Sequence, residues 1–291
     1  MDKNFLKTIL NRLSKMGCHE ADVFFSKSKT SSCSSRLGKI EKKEESSTNE
    51  IGIRAIINKK QSIVSTTNLE KQNVYNLTEK VVEMAKVVPE NQYCGLAESD
   101  KIKQVSKQEV QKLEICDTYE PTMSLIEKEV IKLEESALDN KEITNSEGAE
   151  IAYSKNSICL LGSNGLEIEM EKTHSDFIIA VLAGSKDSME REYDYKSKVF
   201  YNELGDFEKI GKEVSLNAIK KLNSRKLKTC KSDVIFDSKV SSSLLRNLFS
   251  ASNAQSIVKG ISFLKDKMNN KIFNDQISII DDPLMPKKLR S

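Results

Sequence analysis

Alternating apolar and polar positions run through residues 20–68 and predict a meander of antiparallel strands. Residues 23–32 form the first extended run, in which hydroxyl side chains keep one face wet. Residues 51–57 repeat with a period of two, which predicts a strand with one well-buried face. Gly38 predicts a turn between the first two strands, because glycine adopts positive φ without a Cβ clash. This stretch is expected to form a sheet, and it contains no group of residues typical of a catalytic site.

Helical spacing flanks the meander on both sides. Apolar residues between Asp2, an N-cap candidate, and Gly17, a C-terminal stop, predict a first amphipathic helix. A second helix is predicted from about Leu69 to Val88, with Asn68 as its cap and a proline directly after it. Helix, strands and helix together form one α+β unit.

The same layout recurs after a polar crossing segment at residues 89–121. The pattern predicts a helix to about Leu138 opened by a capping box at Ser124 and Glu127, and a further helix capped by Asp206. Between these helices, the strands are predicted at 149–153, 157–161, 166–172 and 177–183, with turns at 146–148 and 162–165.

The fold class is therefore α+β, with antiparallel sheets and packed helices in two intertwined α+β units. The boundaries predict an N-terminal α+β domain at residues 1–110 and a central α+β domain at 111–227. Residues 228–291 begin a third region, in which we expect a strand at 234–236, a helix near 241–250 and a strand at 277–280.

Composition narrows the functional classes. The 291 residues carry 46 Lys and Arg against 43 Asp and Glu, and the interspersed charges argue against a dedicated nucleic-acid surface. The six cysteines form no Cys-x-x-Cys pair and only two histidines are present, so a Cys/His zinc site is not expected. The longest apolar run, residues 177–183, is too short for a bilayer span, and a cytoplasmic protein with free thiols is expected.

One carboxylate cluster could bind a metal ion. Glu167, Glu169 and Glu171 share one face of a predicted strand, and His174 follows them. A solvated strand face beside a surface histidine explains the same pattern and is the favoured interpretation. The similar series at residues 190–194 receives the same interpretation.

The remaining candidates for chemistry are weaker. Cys18 and His19 are adjacent, so their side chains diverge in an extended junction and form a poor nucleophile pair. Ser185 and Ser188 flank Asp187, but no histidine is available as their base. Arg54 could bind an anion, although an ion-paired structural arginine is favoured. We therefore assign no catalytic, cofactor-binding or metal residue.

Short motifs distributed along nearly the whole chain resemble the TldD/PmbA family, and its PmbA (TldE) type more than its TldD type. The matching segments are 17–23 (GCHEADV), 36–41 (RLGKIE), 52–54 (GIR), 65–69 (STTNL), 93–97 (YCGLA), 143–149 (ITNSEGA), 189–195 (MEREYDY), 222–227 (LNSRKL) and 234–236 (VIF).

The resemblance implies an α+β N-terminal region followed by a β-rich C-terminal domain. It also implies a two-subunit cytosolic zinc metallopeptidase that digests unfolded peptides, is linked to peptide-antibiotic maturation and carries the historical name of modulator of DNA gyrase. In that family the TldD-type subunit binds zinc through a His-Glu-x-x-x-His helix. This chain has no such motif, so the resemblance implies a non-catalytic subunit without cofactor, paired with a zinc-bearing TldD-type partner or self-associated.

The resemblance further implies that the chain is truncated within its C-terminal domain, at residues 228–291. Exposed core surface there predicts poor solubility or a partner fragment. Two alternatives to the subunit role remain open. One is a peptide-binding or gyrase-modulating regulator whose sheet edges accept an extended peptide, and the other is a non-functional gene fragment.

Overall fold

The computed structural model describes residues 2–103, 105–185 and 188–289. The chain divides into two units. The first comprises Met1–Asn223 with Pro283–Ser291, and the second comprises Ser224–Asp282. The mixture of helices and antiparallel strands confirms the predicted α+β class.

The first unit is built on one six-stranded antiparallel sheet with the strand order β3-β2-β1-β4-β5-β6. The two predicted meanders join in this sheet because β1 pairs with β4, from Asp22 opposite Gly162 to Ser35 opposite Ala149. The strands are β1 (Glu20–Arg36), β2 (Lys39–Ile57), β3 (Lys60–Thr66), β4 (Ile143–Gly162), β5 (Glu167–Ala183) and β6 (Glu190–Lys198).

The helices that build the cores all pack on the same face of this sheet. Odd-numbered residues of β1 point to the helices, and those near its two ends, such as Val23 and Cys33, are buried, while the even-numbered residues point to the other face. We call these the helix face and the open face. The helices are α1 (Lys3–Lys15), α2 (Lys71–Val87), α3 (Lys107–Lys112), α4 (Met123–Leu138) and α5 (Phe207–Lys220) in the first unit, and α6 (Ser238–Ser252) and α7 (Ala254–Val258) in the second.

Two hydrophobic cores lie side by side on the helix face. Helices α1 and α2 cover one half of the sheet, where Leu6, Val81 and Ile53 are fully buried or nearly so. Helices α4 and α5 cover the other half around Leu133 and Phe177. Between the two helix pairs, the middle of β1 carries exposed Lys27 and Lys29, so the centre of the helix face stays open.

Several predicted boundaries are confirmed. Asp2 caps α1 by accepting the Asn4 N–H at 3.1 Å, and Gly17 follows the helix with φ of +88°. Asp206 caps α5. The turn at residues 162–165 also forms and joins β4 to β5.

Other predicted boundaries are wrong. Thr122, and not Ser124, caps α4, because its hydroxyl accepts the Leu125 N–H. Glu70 takes the N-cap position of α2, while the Asn68 side chain accepts the Glu70 N–H in a turn before it.

The predicted turn at 146–148 is a bulge inside one continuous strand. The register of β4 against β5 shifts between Ser146 and Gly148, and Gly148 adopts φ of +110°. A Cβ at Gly148 would lie 2.9 Å from the Ser35 carbonyl oxygen, so the neighbouring strand requires glycine here. The strands predicted on either side of residues 173–176 are likewise one strand, β5.

The second unit confirms the predicted helix, which is α6, but not the two predicted strands. No strand forms among the described residues of 224–282. Ile235 is 97% exposed and Ile280 is 80% exposed, so neither of these apolar side chains is packed in a core.

Candidate functional site

A cavity of about 830 Å³ opens on the helix face at the gap between the two helix pairs. Its floor is formed by Phe25 of β1, Cys159 of β4 and Glu169 of β5. The start of α1 supplies Lys3 to one wall, and α3 with the segment after it supplies the other, including Cys116. The volume lies within the range of ligand pockets in proteins.

The acidic residues of the cavity are held by lysines. The Lys3 ammonium lies 2.7 Å from a Glu169 carboxylate oxygen and also pairs with Glu167. Hydrogen bonds to Glu167 and Glu169 raise the pKa of Lys3. The hydrogen bond from Lys3 in turn lowers the pKa of Glu167. Glu171 accepts the Ser157 hydroxyl at 2.9 Å and lies 3.5 Å from Lys155. The cluster is therefore neutralised within the chain.

The two thiols of the cavity are not activated nucleophiles. Burial raises the pKa of Cys116 and of Cys159. A thiol with a raised pKa stays protonated at neutral pH and reacts slowly. Neither cysteine that lines the cavity is therefore an activated nucleophile.

A buried aspartate orders the wall that contains Cys116. Asp117 is 7% exposed, and its carboxylate accepts the Tyr201 N–H and the Tyr119 N–H, each at 2.9 Å. Its own N–H donates to the Thr173 hydroxyl at 2.7 Å, while the Thr173 N–H donates to Ile115. These bonds attach the crossing segment to β5.

The sheet separates the residues of the predicted metal cluster. Glu167, Glu169 and Glu171 lie on the helix face, whereas His174 lies on the open face, with its Nε2 3.7 Å from Asp176. Across residues 2–103, 105–185 and 188–289, no group of three His, Cys, Asp or Glu residues is arranged to hold a metal ion. Lys3 pairs with Glu167 and Glu169, and Lys155 lies 3.5 Å from Glu171 on the helix face.

The other candidate residues have structural environments. Arg54 donates to Asp22 at 3.0 Å and forms an ion pair with it, as favoured from the sequence. Cys18 is buried, which raises the pKa of its thiol, while His19 is exposed. Asp187, between Ser185 and Ser188, lies outside the described residues. In the 190–194 series, Glu192 is buried and paired with Lys221.

Two of the motifs meet at a buried carboxylate that sequence reasoning missed. Glu134 of α4 is fully buried and accepts the Leu37 N–H at 2.9 Å and the Gly38 N–H at 3.2 Å, both from the β1–β2 turn. It also accepts the Ser146 hydroxyl at 2.5 Å. The only signal in the sequence was a glutamate at an apolar stripe position of a predicted helix.

A third motif, residues 93–97, forms hydrogen bonds to strand ends and turns at one end of the sheet. The Leu96 N–H donates to the Glu20 carboxylate at 3.0 Å, the Lys59 ammonium donates to the Cys94 carbonyl at 3.2 Å, and the Asn164 amide donates to the Ala97 carbonyl at 2.9 Å. Residues 93–97 thus join the ends of several strands. These three motifs, 36–41, 143–149 and 93–97, therefore make structural contacts.

Comparison with known families decides the identity of this fold. Three family models match in order: the PmbA/TldA metallopeptidase domain 1 at residues 21–85, the central domain at 100–222 and the C-terminal domain at 229–291. The chain belongs to the PmbA/TldD metallopeptidase family.

Curated PmbA/TldD relatives support this assignment. The chain is 25% identical to the metalloprotease PmbA of Escherichia coli O157:H7, over 93% of this chain and 60% of that protein. It is 27% identical to the metalloprotease PmbA homolog of Buchnera aphidicola subsp. Acyrthosiphon pisum, over 99% of this chain and 64% of that protein. The chain therefore spans less than two thirds of the length of these relatives.

Two solved structures share the fold. A putative modulator of DNA gyrase from Bacteroides thetaiotaomicron superposes with a TM-score of 0.84 at 20% identity, covering 98% of this chain and 64% of that one. TldE from Thermococcus kodakarensis superposes with a TM-score of 0.71 at 16% identity, covering 90% and 58%. Among the described residues, no helix is both long and apolar enough to cross a bilayer.

Proposed function

We propose that this chain is a PmbA/TldE-like, non-catalytic subunit of a cytoplasmic TldD/PmbA-type zinc metallopeptidase complex that digests unfolded peptides. Its support is the ordered match to all three PmbA/TldD domains, which also underlies a proposed division into residues 1–110, 111–227 and 228–291. A TldD-type partner supplies the zinc in this proposal.

The donor set of the chain does not fit a zinc site of its own. Its two histidines, His19 and His174, are far apart in the sequence, so no helix carries both at metal-ligand spacing. His19 precedes β1, and His174 faces the open side of β5. The proposed contribution of this subunit is therefore binding and assembly, with the cavity on the helix face as a candidate peptide-binding site.

The test measures zinc content and peptidase activity for the chain alone and together with a TldD-type subunit. We expect the chain alone to contain less than one zinc per chain and to be inactive towards an unfolded peptide. We expect the mixture to cleave that peptide faster than the TldD-type subunit alone. Zinc-dependent cleavage by the isolated chain, abolished by a chelator, would refute the non-catalytic role.

A second candidate function is a peptide-binding or gyrase-modulating regulator. Its specific support is the outer edge of β2. Strand β3 pairs only with Ile51–Ile57, so residues 39–50 of β2 have no described strand beside them on that edge. Such an edge can accept an extended peptide by strand addition. Salt-sensitive binding of the purified chain to DNA would instead favour the gyrase-directed version.

A further inference from the structure

The acidic side chains of the cavity on the helix face all have partners within the chain. Lys3 and Lys155 neutralise the glutamates that β5 contributes to it. Glu114 lies 3.3 Å from the Lys287 ammonium, and Asp2 is engaged as the N-cap of α1. Among the described residues that line the cavity, no carboxylate is therefore left over to attract a cation.

Two lysines at the same cavity have no such partner. Lys107, at the start of α3, lines the cavity, and its ammonium has no ion pair or hydrogen bond with a described residue. Lys27 of β1 is exposed on the helix face and is likewise unpaired within the described part of the chain. It lies opposite Ser157, a lining residue, and two positions along β1 from Phe25 of the floor. Because such neighbours are about 5 Å apart, Lys27 stands at the rim, and the uncompensated charge of the cavity is positive.

Apolar surface accompanies these two lysines. Phe25 and Cys159 contribute to the floor, and Val110 and Ile115 contribute to the wall formed by α3 and the segment after it. Ligand pockets typically combine an apolar lining with a few polar groups that fix the orientation of the ligand. A ligand that matches this cavity therefore carries an apolar group next to an anionic one.

The surface beyond the cavity favours a peptide over a hydrocarbon chain. In the register Lys27 lies between Asn49 of β2 and Ser157 of β4, and the next row of the helix face contains Ser47 and Lys29. These amide, hydroxyl and ammonium groups can form hydrogen bonds with a peptide backbone. An acyl chain laid over them would cover polar groups without replacing their hydrogen bonds to water, which costs free energy.

We infer that the cavity binds the C-terminal end of an unfolded peptide, with the terminal carboxylate on Lys27 and Lys107 and an apolar last side chain against Phe25 and Ile115. This inference rests on the proposed function, because that function supplies unfolded peptides as ligands. It adds which end of the peptide is bound and which side chains select it.

The test measures binding of two fluorescent peptides to the full chain by anisotropy, without a partner subunit. Both peptides have the same unfolded sequence ending in leucine, and one has a free terminal carboxylate while the other has a terminal amide. We expect the carboxylate peptide to bind about tenfold more tightly, because the amide loses the charged hydrogen bonds. A carboxylate peptide that ends in glycine should bind more weakly than the one that ends in leucine, because it leaves the apolar floor uncovered.

Lys27→Ala and Lys107→Ala should each weaken binding of the carboxylate peptide about threefold, since each removes one exposed ion pair, and should leave the amide peptide unchanged. Lys27→Arg keeps the charge and should keep the preference for the carboxylate. Lys80→Ala is the matched control, because Lys80 is an exposed lysine of α2 that does not line the cavity, and it should alter neither affinity. Circular dichroism checks that each variant folds.

Equal affinity for the carboxylate and amide peptides overturns the inference, as does a preference that survives both alanine variants. Either result can occur while the complex with a TldD-type subunit still cleaves peptides, so this inference and the proposed function fail separately. Decanoate that displaces the carboxylate peptide as strongly as the unlabelled peptide does also overturns the inference, and would assign the cavity to fatty acids.

Discussion

Glu134 links two distant segments of the chain through one carboxylate. The β1–β2 turn donates two N–H groups to it, and Ser146 at the β4 bulge donates its hydroxyl. A buried charge is stable only when its hydrogen bonds are complete. The turn and the bulge are therefore shaped around α4, and these motif residues have a structural role.

Glu134→Ala should lower the free energy of unfolding by about 3 kcal/mol, because two N–H groups and one hydroxyl lose a buried charged acceptor. Urea denaturation measures the change. Glu135→Ala, at the exposed neighbouring position of α4, is the control and should change stability by less than about 0.5 kcal/mol. Equal effects of the two variants would contradict the assigned role.

Tyr153 is a buried residue whose hydroxyl can be removed with little loss of stability at neutral pH. It is 2% exposed, and its hydroxyl has no hydrogen-bond partner among the described residues. Burial, followed by the nearby Glu120 and Asp117, raises its pKa to about 12 from 10.0. Tyr153→Phe should therefore change the free energy of unfolding at pH 7 by less than about 1 kcal/mol.

The raised pKa gives Tyr153 a defined effect in alkaline solution. Its stabilising contribution is complete below pH 10 and is lost as pH rises towards about 12, because the unfolded chain releases the proton first. Between pH 9 and pH 12, the free energy of unfolding should fall less steeply with pH for Tyr153→Phe than for the natural chain. Parallel curves would show that this hydroxyl does not contribute.

At the scale of elements, α4 and α5 are in close contact at Gly211. A Cβ there would lie 2.3 Å from the Leu133 carbonyl oxygen and 2.1 Å from the Ser136 hydroxyl. Gly211→Ala should lower the free energy of unfolding by about 1–3 kcal/mol, because the helices must separate, despite the better helix propensity of alanine. Thermal denaturation measures the loss.

Leu216→Ala provides the comparison for Gly211, since Leu216 lies on the same helix and is 53% exposed. It should change stability by less than about 0.5 kcal/mol. A stabilising Gly211→Ala variant would mean that propensity outweighs the contact between the two helices.

Local sequence patterns predicted the helices and strands better than the bulges and strand pairings that connect them. Helix stripes and period-two strands follow from side-chain burial, so α1, α5 and α6 could be predicted. The bulge at Gly148 could not, because it depends on the close approach of Ser35, which is distant in sequence. The pairing of β1 with β4, which joins the two meanders, likewise depends on long-range register.

At the scale of the whole molecule, the candidate cavity could not be predicted because it forms between elements. Lys3, Cys116 and Glu169 come from three distant segments, and no spacing in the sequence relates them. The acidic series on β5 could be seen in the sequence, but its neutralisation by Lys3 could not. Face assignment also separates His174 from these acids, although periodicity alone already places residues 167 and 174 on opposite faces.

The two units should differ in their resistance to proteases. The first unit has two cores covered by helices, whereas the second buries few apolar residues, among them Ala251 and Leu264. In the second unit Ile235 is 97% exposed and Met268 is 86% exposed. A region with few buried contacts opens locally at low free-energy cost.

Limited proteolysis followed by mass spectrometry should therefore place the earliest cuts within residues 224–282 and leave a resistant fragment that contains all six strands. The same exposed side chains should bind a hydrophobic dye, and removal of the second unit should reduce that binding. Early cleavage within β1 or β4 would contradict this order of stability. Protection of residues 224–282 on addition of a TldD-type subunit would indicate that the partner covers this apolar surface.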